Sequence, residues 1–234
     1  MDVSLINPSL FAAGGMIAFA GGEDPMRAGI GALLSAIIGD VERDPNKDSH
    51  VAILLPQAAW LSADRPEIFE STIEAGVSGP QYNLLIPTLQ RYQKQGGAAR
   101  YFPFASGYKP DWSAVLGIAD QMVAQQKAGR LHYGVLHLVA DLDARQVWLQ
   151  RVIDKITGGS SYERLMQLML TGHGIVCSEC VASVLETGGI KAQVIAAGKR
   201  WLPDSRPYAG QPIGCTPLDC IAIPAWTSPA NLIQ

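Results

Sequence analysis

Charged residues are few in this sequence, and neither sign forms a long run. Of the 234 residues 17% are charged, the formal net charge is −3, and no run of Lys and Arg exceeds two residues. Proteins that bind nucleic acid usually neutralise phosphates with clustered Lys and Arg. The sequence therefore gives no support for a nucleic-acid partner.

Long apolar runs are lacking too. The apolar stretch at residues 10–20 is interrupted by glycines, and the only charge before it is Asp2. A secretory signal needs a basic region ahead of its apolar segment, and a membrane-spanning helix needs about 18 to 20 predominantly apolar residues. We therefore expect a soluble, cytoplasmic protein with no integral membrane segment. Release by lysis or by packaging into a particle stays open as an alternative location.

Cysteine is scarce and confined to the last quarter of the chain. The four cysteines are Cys177, Cys180, Cys215 and Cys220. In a chain without a secretory signal, such cysteines are more often catalytic or metal-binding than part of a disulfide framework. They are therefore the first candidates for chemistry.

Apolar residues, glycine and proline are plentiful. The hydrophobic fraction is 48%, with 24 glycines and 15 prolines, which describes a compact, loop-rich chain that can bury a core. The predicted strands are residues 16–20, 50–55, 68–72 (the antiparallel partner of 50–55) and 100–104, with a turn at Gly79-Pro80. Residues 83–89 fit either a strand or a short helix. The predicted helices are residues 26–38, 112–127, 147–156, 162–170 and the segment from 177, and residues 135–142 are apolar but of ambiguous type. Early strands and later helices favour a single α+β domain over residues 1–234.

The segment that starts at Cys177 has the clearest helical pattern. Apolar residues recur from Cys177 at intervals of three and four positions, and Gly188 and Gly189 then end the helix. Cys177 thus begins a largely buried helix, where free backbone N–H groups and the positive end of the helix dipole favour a thiolate. This is the setting that a cysteine nucleophile needs.

A cysteine nucleophile also needs an imidazole to exchange a proton and a polar group to orient the imidazole. His50 opens an apolar strand, so its ring can face a cleft at the edge of the sheet, and Glu70 lies in the next predicted strand. The residues alone leave two competitors. His173 precedes Cys177 by four positions, and Glu74 follows Glu70 by four.

These candidates occur in an ordered set of short motifs. The motifs are Ser49-His50-Val51-Ala52-Ile53, Phe69-Glu70-Ser71 with Gly76-Val77, Cys177-Ser178-Glu179-Cys180-Val181, and Thr216-Pro217-Leu218-Asp219. The set resembles the circularly permuted papain-like amidases of the NlpC class, especially the YiiX-like group, in which the histidine strand precedes the cysteine helix. The resemblance covers most of the chain as separate motifs, of which Cys-Ser-Glu is the most specific.

The resemblance implies a papain-like, circularly permuted NlpC-type fold: an antiparallel sheet or small barrel packed against helices, with a helical insertion at about residues 111–170. It implies Cys177 as the nucleophile, His50 as the general base and Glu70 as its orienting partner, with the Cys177 backbone N–H in the oxyanion hole. The expected reaction is hydrolysis of an amide or ester bond through a thiol acyl-enzyme, on cell-wall peptides or acyl-amide substrates, without a metal or another cofactor. Cys180 stands where the family usually has leucine, which affects the expected substrate more than the chemistry.

Three alternatives remain open from the sequence. The pairs Cys177-x-x-Cys180 and Cys215-x4-Cys220 could form a zinc site, although the first pair lies in an apolar helical pattern. A papain-like fold could also serve as an accessory protein that has lost activity. The lecithin retinol acyltransferase group, a relative of the permuted family, transfers acyl chains, so an acyltransferase is the third alternative.

Overall fold

The computed structural model describes residues 6–21, 48–74, 77–133, 174–175, 177–202, 215 and 217–233. These residues form a six-stranded antiparallel sheet with several helices, which confirms the predicted α+β class and antiparallel sheet. The predicted elements at 26–38, 135–142, 147–156 and 162–170 lie outside the described residues. Of the helical material expected at 111–170, the described part contains one helix, at the predicted place.

The strands in chain order are β1 (Gly15–Ala20), β2 (Asp48–Leu54), β3 (Glu67–Glu74), β4 (Val77–Leu84), β5 (Ala98–Phe102), β6 (His132–Tyr133), β7 (Gly174–Ile175) and β8 (Ala230–Ile233). The large sheet has the spatial order β4-β3-β2-β1-β5-β8, and β6 pairs with β7 in parallel. The helices are α1 (Leu85–Lys94), α2 (Trp112–Lys127), α3 (Cys177–Thr187), α4 (Ile190–Ala196) and α5 (Pro217–Ile221). Within the described ranges, no helix has both the length and the apolar character that crossing a membrane requires.

Strands β1 and β2 lie at the centre of the sheet because their sequences are apolar on both faces. Every residue of β1 is buried, and β2 is buried except at Ser49. A short continuous apolar run is what a strand covered on both faces requires. His50 is the third residue of β2, and its backbone pairs with Phe19 of β1.

The predicted turn at Gly79-Pro80 is wrong, because both residues lie within β4 and pair with β3. Proline cannot donate a hydrogen bond to a neighbouring strand, so within sheets it is found at edges. Strand β4 is an edge of the sheet, and Gly79 has a φ of 115°, which glycine adopts at little cost. A dipeptide typical of turns therefore marks an edge strand here.

Helices α2 and α3 begin and end where the sequence predicts. A backbone hydrogen bond links the start of α2 to the end of α3. The side chain of Asp111 caps α2 by accepting hydrogen bonds from its first backbone N–H groups. Helix α3 ends before Gly189, which has a left-handed φ of 79°. The backbone N–H of Asp111 donates to the carbonyl of Gly188 at 2.9 Å. This contact fixes the C-terminal end of α3 and helps to position Cys177 at its other end.

Candidate active site

Cys177 is the first residue of α3 and is buried, with 2% of its surface exposed. Helix α3 packs against β2 and β3. The first backbone N–H groups of a helix have no acceptor within the helix, and the helix dipole is positive at that end. Negative charge is therefore favoured here, on the Cys177 sulfur or on an oxygen atom beside it.

The residue after Cys177 is held by the C-terminal segment of the chain. Ser178 Oγ donates to the carbonyl of Cys215 at 2.5 Å. The carbonyl of Ser178 accepts hydrogen bonds from the thiols of Cys215 and Cys220 at 3.6 and 3.4 Å. Cys215 and Cys220 are both fully buried. They therefore act as small core residues that fix the first turn of α3.

Neighbouring strands bring His50 and Glu70 together. Leu54 of β2 pairs with Ile68 of β3. Side chains alternate between the two faces of a strand, so the side chains of His50 and Glu70 lie on the same face of the sheet as those of Leu54 and Ile68. Long side chains in diagonal positions on adjacent strands can touch, and Nε2 of His50 is hydrogen bonded to Oε2 of Glu70.

The His50 ring also contacts the thiol. The Cys177 side chain is a hydrogen-bond partner of the imidazole, and since Nε2 faces Glu70, Nδ1 is the nitrogen left to exchange a proton with the sulfur. Burial by itself lowers the pKa of His50. The neighbouring Cys177 and Tyr92 and the hydrogen bonds to Cys177 and Glu70 outweigh it and hold that pKa well above the ordinary value of 6.5. The arrangement therefore stabilises the protonated form of His50.

Glu70 is a buried carboxylate that uses both of its oxygens. Oε2 accepts from His50, and Oε1 accepts a hydrogen bond from Nδ2 of Asn83 at 2.6 Å. Burial by itself raises the pKa of Glu70. The hydrogen bond and charge of His50, the Asn83 amide and the nearby Arg91 outweigh burial and hold that pKa below the ordinary value of 4.5. Glu70 is therefore ionised at neutral pH and stabilises the protonated imidazole.

Aromatic side chains enclose the imidazole. Phe19 of β1 lies opposite His50 in the strand register, with 5.7 Å between the ring centroids. The Phe19 ring also stacks on Tyr92 of α1, with 4.5 Å between centroids. These neighbours restrict rotation of the imidazole and limit competition by water for its hydrogen bond to Glu70.

The cysteines do not gather as a zinc site would require. All four cysteines belong to the described residues, and within those residues no group of three or more His, Cys, Asp or Glu side chains could hold a metal ion. The four-cysteine alternative therefore has no structural support.

Sequence reasoning missed Asn83 as a partner of Glu70. It falls in a segment for which the sequence predicts either a strand or a helix, and no local pattern marks an amide as the partner of a carboxylate on the neighbouring strand. Of the two competitors from the sequence, His173 and the side chain of Glu74 lie outside the described residues. Among the described residues, the structure brings His50 to Cys177 and Glu70 to His50.

We expect Glu70→Gln to remove a pH-dependent part of the free energy of unfolding. A carboxyl group whose pKa is lowered by folding stabilises the fold above its ordinary pKa, and this contribution is lost as the pH falls through the lowered value. His50, whose pKa is raised, stabilises the fold below 6.5, and its contribution is lost as the pH rises through the raised value. The contribution of this pair should therefore be largest between about pH 5 and 6.5.

The glutamine of Glu70→Gln keeps the volume but has a single acceptor oxygen, so either His50 or Asn83 would face an NH₂ group. Urea unfolding should show that the variant's free energy of unfolding is lower than the wild type's by about 2 to 4 kcal/mol near pH 6. This difference should become smaller toward acid and toward alkaline pH. Glu74→Gln makes the same chemical change at the end of the same strand and should leave the pH dependence as in the wild type. A loss in Glu70→Gln that is equal at every pH would contradict the ion-pair explanation.

The geometry supports transfer of a proton between sulfur and imidazole, followed by attack of the sulfur on an electrophilic carbon. The thiol lies at a helix start, the imidazole is bonded to it, and an ionised carboxylate holds the other ring nitrogen. The backbone N–H groups at the start of α3 can stabilise an oxyanion. Comparison of this chain with protein-family models, curated proteins and solved structures found no match.

Proposed function

We propose that the protein is a cysteine hydrolase that cleaves an amide or ester bond through a thiol acyl-enzyme. The observation that carries the proposal is the contact series Cys177–His50–Glu70, which begins at the first residue of a helix and ends at a buried carboxylate. The series supplies a nucleophile, a proton carrier and an orienting group. A cysteine that serves only to fill the core needs no protonated histidine beside it.

We further propose a circularly permuted papain-like fold of the NlpC class, most similar in its motifs to the YiiX-like group. The strands that carry His50 and Glu70 precede the helix of Cys177 in the chain and pack against it. This order fits a family in which the histidine strand comes before the cysteine helix. Pro217 in the last motif begins α5, whose Cys220 contacts the first turn of α3. By the same resemblance, the substrates are cell-wall peptides or acyl-amide compounds.

In the first half-reaction, the Cys177 thiolate attacks the carbonyl carbon of the scissile bond. The sulfur–carbon bond forms while the π electrons move to the carbonyl oxygen, whose charge the backbone N–H of Cys177 stabilises. The bond to the leaving group then breaks, and the His50 imidazolium gives its proton to the leaving amine or alcohol. Glu70 stays ionised throughout and holds the ring.

In the second half-reaction, neutral His50 takes a proton from water as the water oxygen attacks the thioester carbon. The carbon–sulfur bond breaks, the acid leaves, and the thiolate–imidazolium pair is restored. An amine that replaced water would receive the acyl group instead. Analysis of the products formed with and without an added amine therefore distinguishes a hydrolase from an acyltransferase.

Selective alkylation tests the proposal before a substrate is known. Thiolates react with iodoacetamide and thiols do not, so Cys177 should react near pH 6 about 10 to 100 times faster than an ordinary thiol. Cys180 and Cys220, whose pKa values are raised by burial, should stay unmodified in the folded protein. Peptide mapping by mass spectrometry measures each cysteine separately. Equal modification of all four cysteines, or an inert Cys177 below about pH 7, would contradict the proposal.

A further inference from the structure

The geometry points to Asn83 as a positioning residue for the carboxylate of Glu70, an assignment that rests on the proposed function. Nδ2 of Asn83 donates to Oε1 of Glu70 at 2.6 Å, while Oε2 is bonded to His50. The two oxygens of a carboxylate lie in one plane with its carbon. Fixing one oxygen from β4 therefore fixes the direction in which the other faces the imidazole, and the contact series becomes Asn83–Glu70–His50–Cys177.

Three adjacent strands carry this series on one face of the sheet. Asn83 of β4 pairs with Ile68 of β3, and Ile68 also pairs with Leu54 of β2. Side chains alternate along each strand, so the side chains of Asn83, Glu70 and His50 all lie on the face of the sheet that carries the side chains of Ile68 and Leu54. Paired strands are held by backbone hydrogen bonds, so the sheet itself sets the spacing of the three groups, which is more precise than a loop would allow.

An amide suits this position because it donates a hydrogen bond without carrying a charge. A lysine or arginine would neutralise Glu70 and weaken its attraction for the imidazolium, and an aspartate would repel it. Charged and titratable groups on other elements also act on the pair electrostatically: Arg91 of α1 and Cys180 of α3 on Glu70, and Tyr92 of α1 on His50. Arg91 contributes its charge to Glu70, whereas Asn83 contributes a directed hydrogen bond.

Removing the amide should weaken the Glu70–His50 contact and therefore the thiolate–imidazolium pair. We expect Asn83→Ala to slow the reaction of Cys177 with iodoacetamide near pH 6 by about three- to tenfold. The midpoint of the rise of this rate with pH should move up by about half to one pH unit. An asparagine with a merely structural role would lower the melting temperature and leave the midpoint unchanged.

The neighbouring strand position offers a matched control. Gln81 lies directly opposite Glu70 in the β3–β4 register and carries the same amide group. Within the part of the chain that the structure describes, its Nε2 has no hydrogen-bond partner. Gln81→Ala therefore removes an amide side chain from the position opposite Glu70 without removing the Asn83–Glu70 hydrogen bond. The pH profile of the alkylation rate should stay as in the wild type. Asn83→Gln keeps the donor and should recover most of the rate, and Asn83→Asp should lose the most.

The experiment follows alkylation of Cys177 by peptide mapping between about pH 5 and 8 for the wild type and the four variants, with melting temperatures by circular dichroism. A folded Asn83→Ala with the wild-type midpoint overturns the inference, and so does a Gln81→Ala midpoint that moves as far. If Asn83→Ala does not fold, the comparison of Asn83→Gln with Asn83→Asp tests the inference instead. Equal midpoints of the alkylation rate in these two variants would overturn the inference. A wild-type Cys177 that reacts as an ordinary thiol would instead refute the proposed function and the inference with it.

Discussion

The Cys177→Ala variant should form no acyl-enzyme with a p-nitrophenyl ester, whereas the wild type should release a burst of one nitrophenolate per chain. The burst reports transfer of the acyl group to the enzyme, and intact-mass spectrometry detects the acylated chain directly. Without the sulfur no nucleophile remains at the start of α3, so we expect the acylation rate to fall by at least about 10⁴-fold. The acylation rate of Cys177→Ser should fall nearly as far, because a hydroxyl ionises far less readily than a thiol.

Cys180→Ala is the matched control for this loss. Cys180 lies one helical turn further along α3, is fully buried, and has a raised pKa because of its burial. Its replacement should lower the free energy of unfolding by about 1 to 2 kcal/mol through a small cavity and leave the burst intact. A burst that survives in Cys177→Ala, or that disappears equally in Cys180→Ala, would show that the nucleophile is misassigned.

The central strands and the cysteine helix could be predicted from the sequence because their signals are local. The apolar runs around Ile17 and Ile53 are short and leave no polar face, as a strand covered on both sides requires. The apolar spacing after Cys177 ends at a glycine that adopts the left-handed conformation. In each case one short window of sequence contains the whole physical reason for the structure.

The surroundings of His50 could not be predicted in the same way, because they depend on contacts between distant segments. Tyr92 reaches the imidazole region from α1, and Asn83 reaches Glu70 from an edge strand that contains Gly79-Pro80. A local interpretation treats that dipeptide as a turn, and the resulting strand boundary hides the register that puts Asn83 on the face of Glu70. Only the pairing of β3 with β4 supplies this information.

The His50→Ala variant should lose about 10³-fold in the rate of acyl-enzyme formation. His50 both stabilises the Cys177 thiolate and carries the proton to the leaving group, so neither half-reaction keeps its proton carrier. Glu70, which is 1% exposed, would keep Asn83 as a partner but lose the imidazolium that balances its charge. An uncompensated buried charge is costly, so the free energy of unfolding near pH 6 should also fall, by about 2 to 4 kcal/mol.

His173→Gln is the control that separates the two histidines, because His173 is the nearest histidine to Cys177 in the sequence. We expect His173→Gln to keep the burst within about threefold of the wild type. We also expect it to keep the fast reaction of Cys177 with iodoacetamide near pH 6, which His50→Ala should lose by about 10- to 100-fold. Burst kinetics and alkylation rates measured on both variants test the assignment. The opposite result, with His173→Gln inactive and His50→Ala active, would make His173 the base and leave the His50–Glu70 pair with a purely structural role.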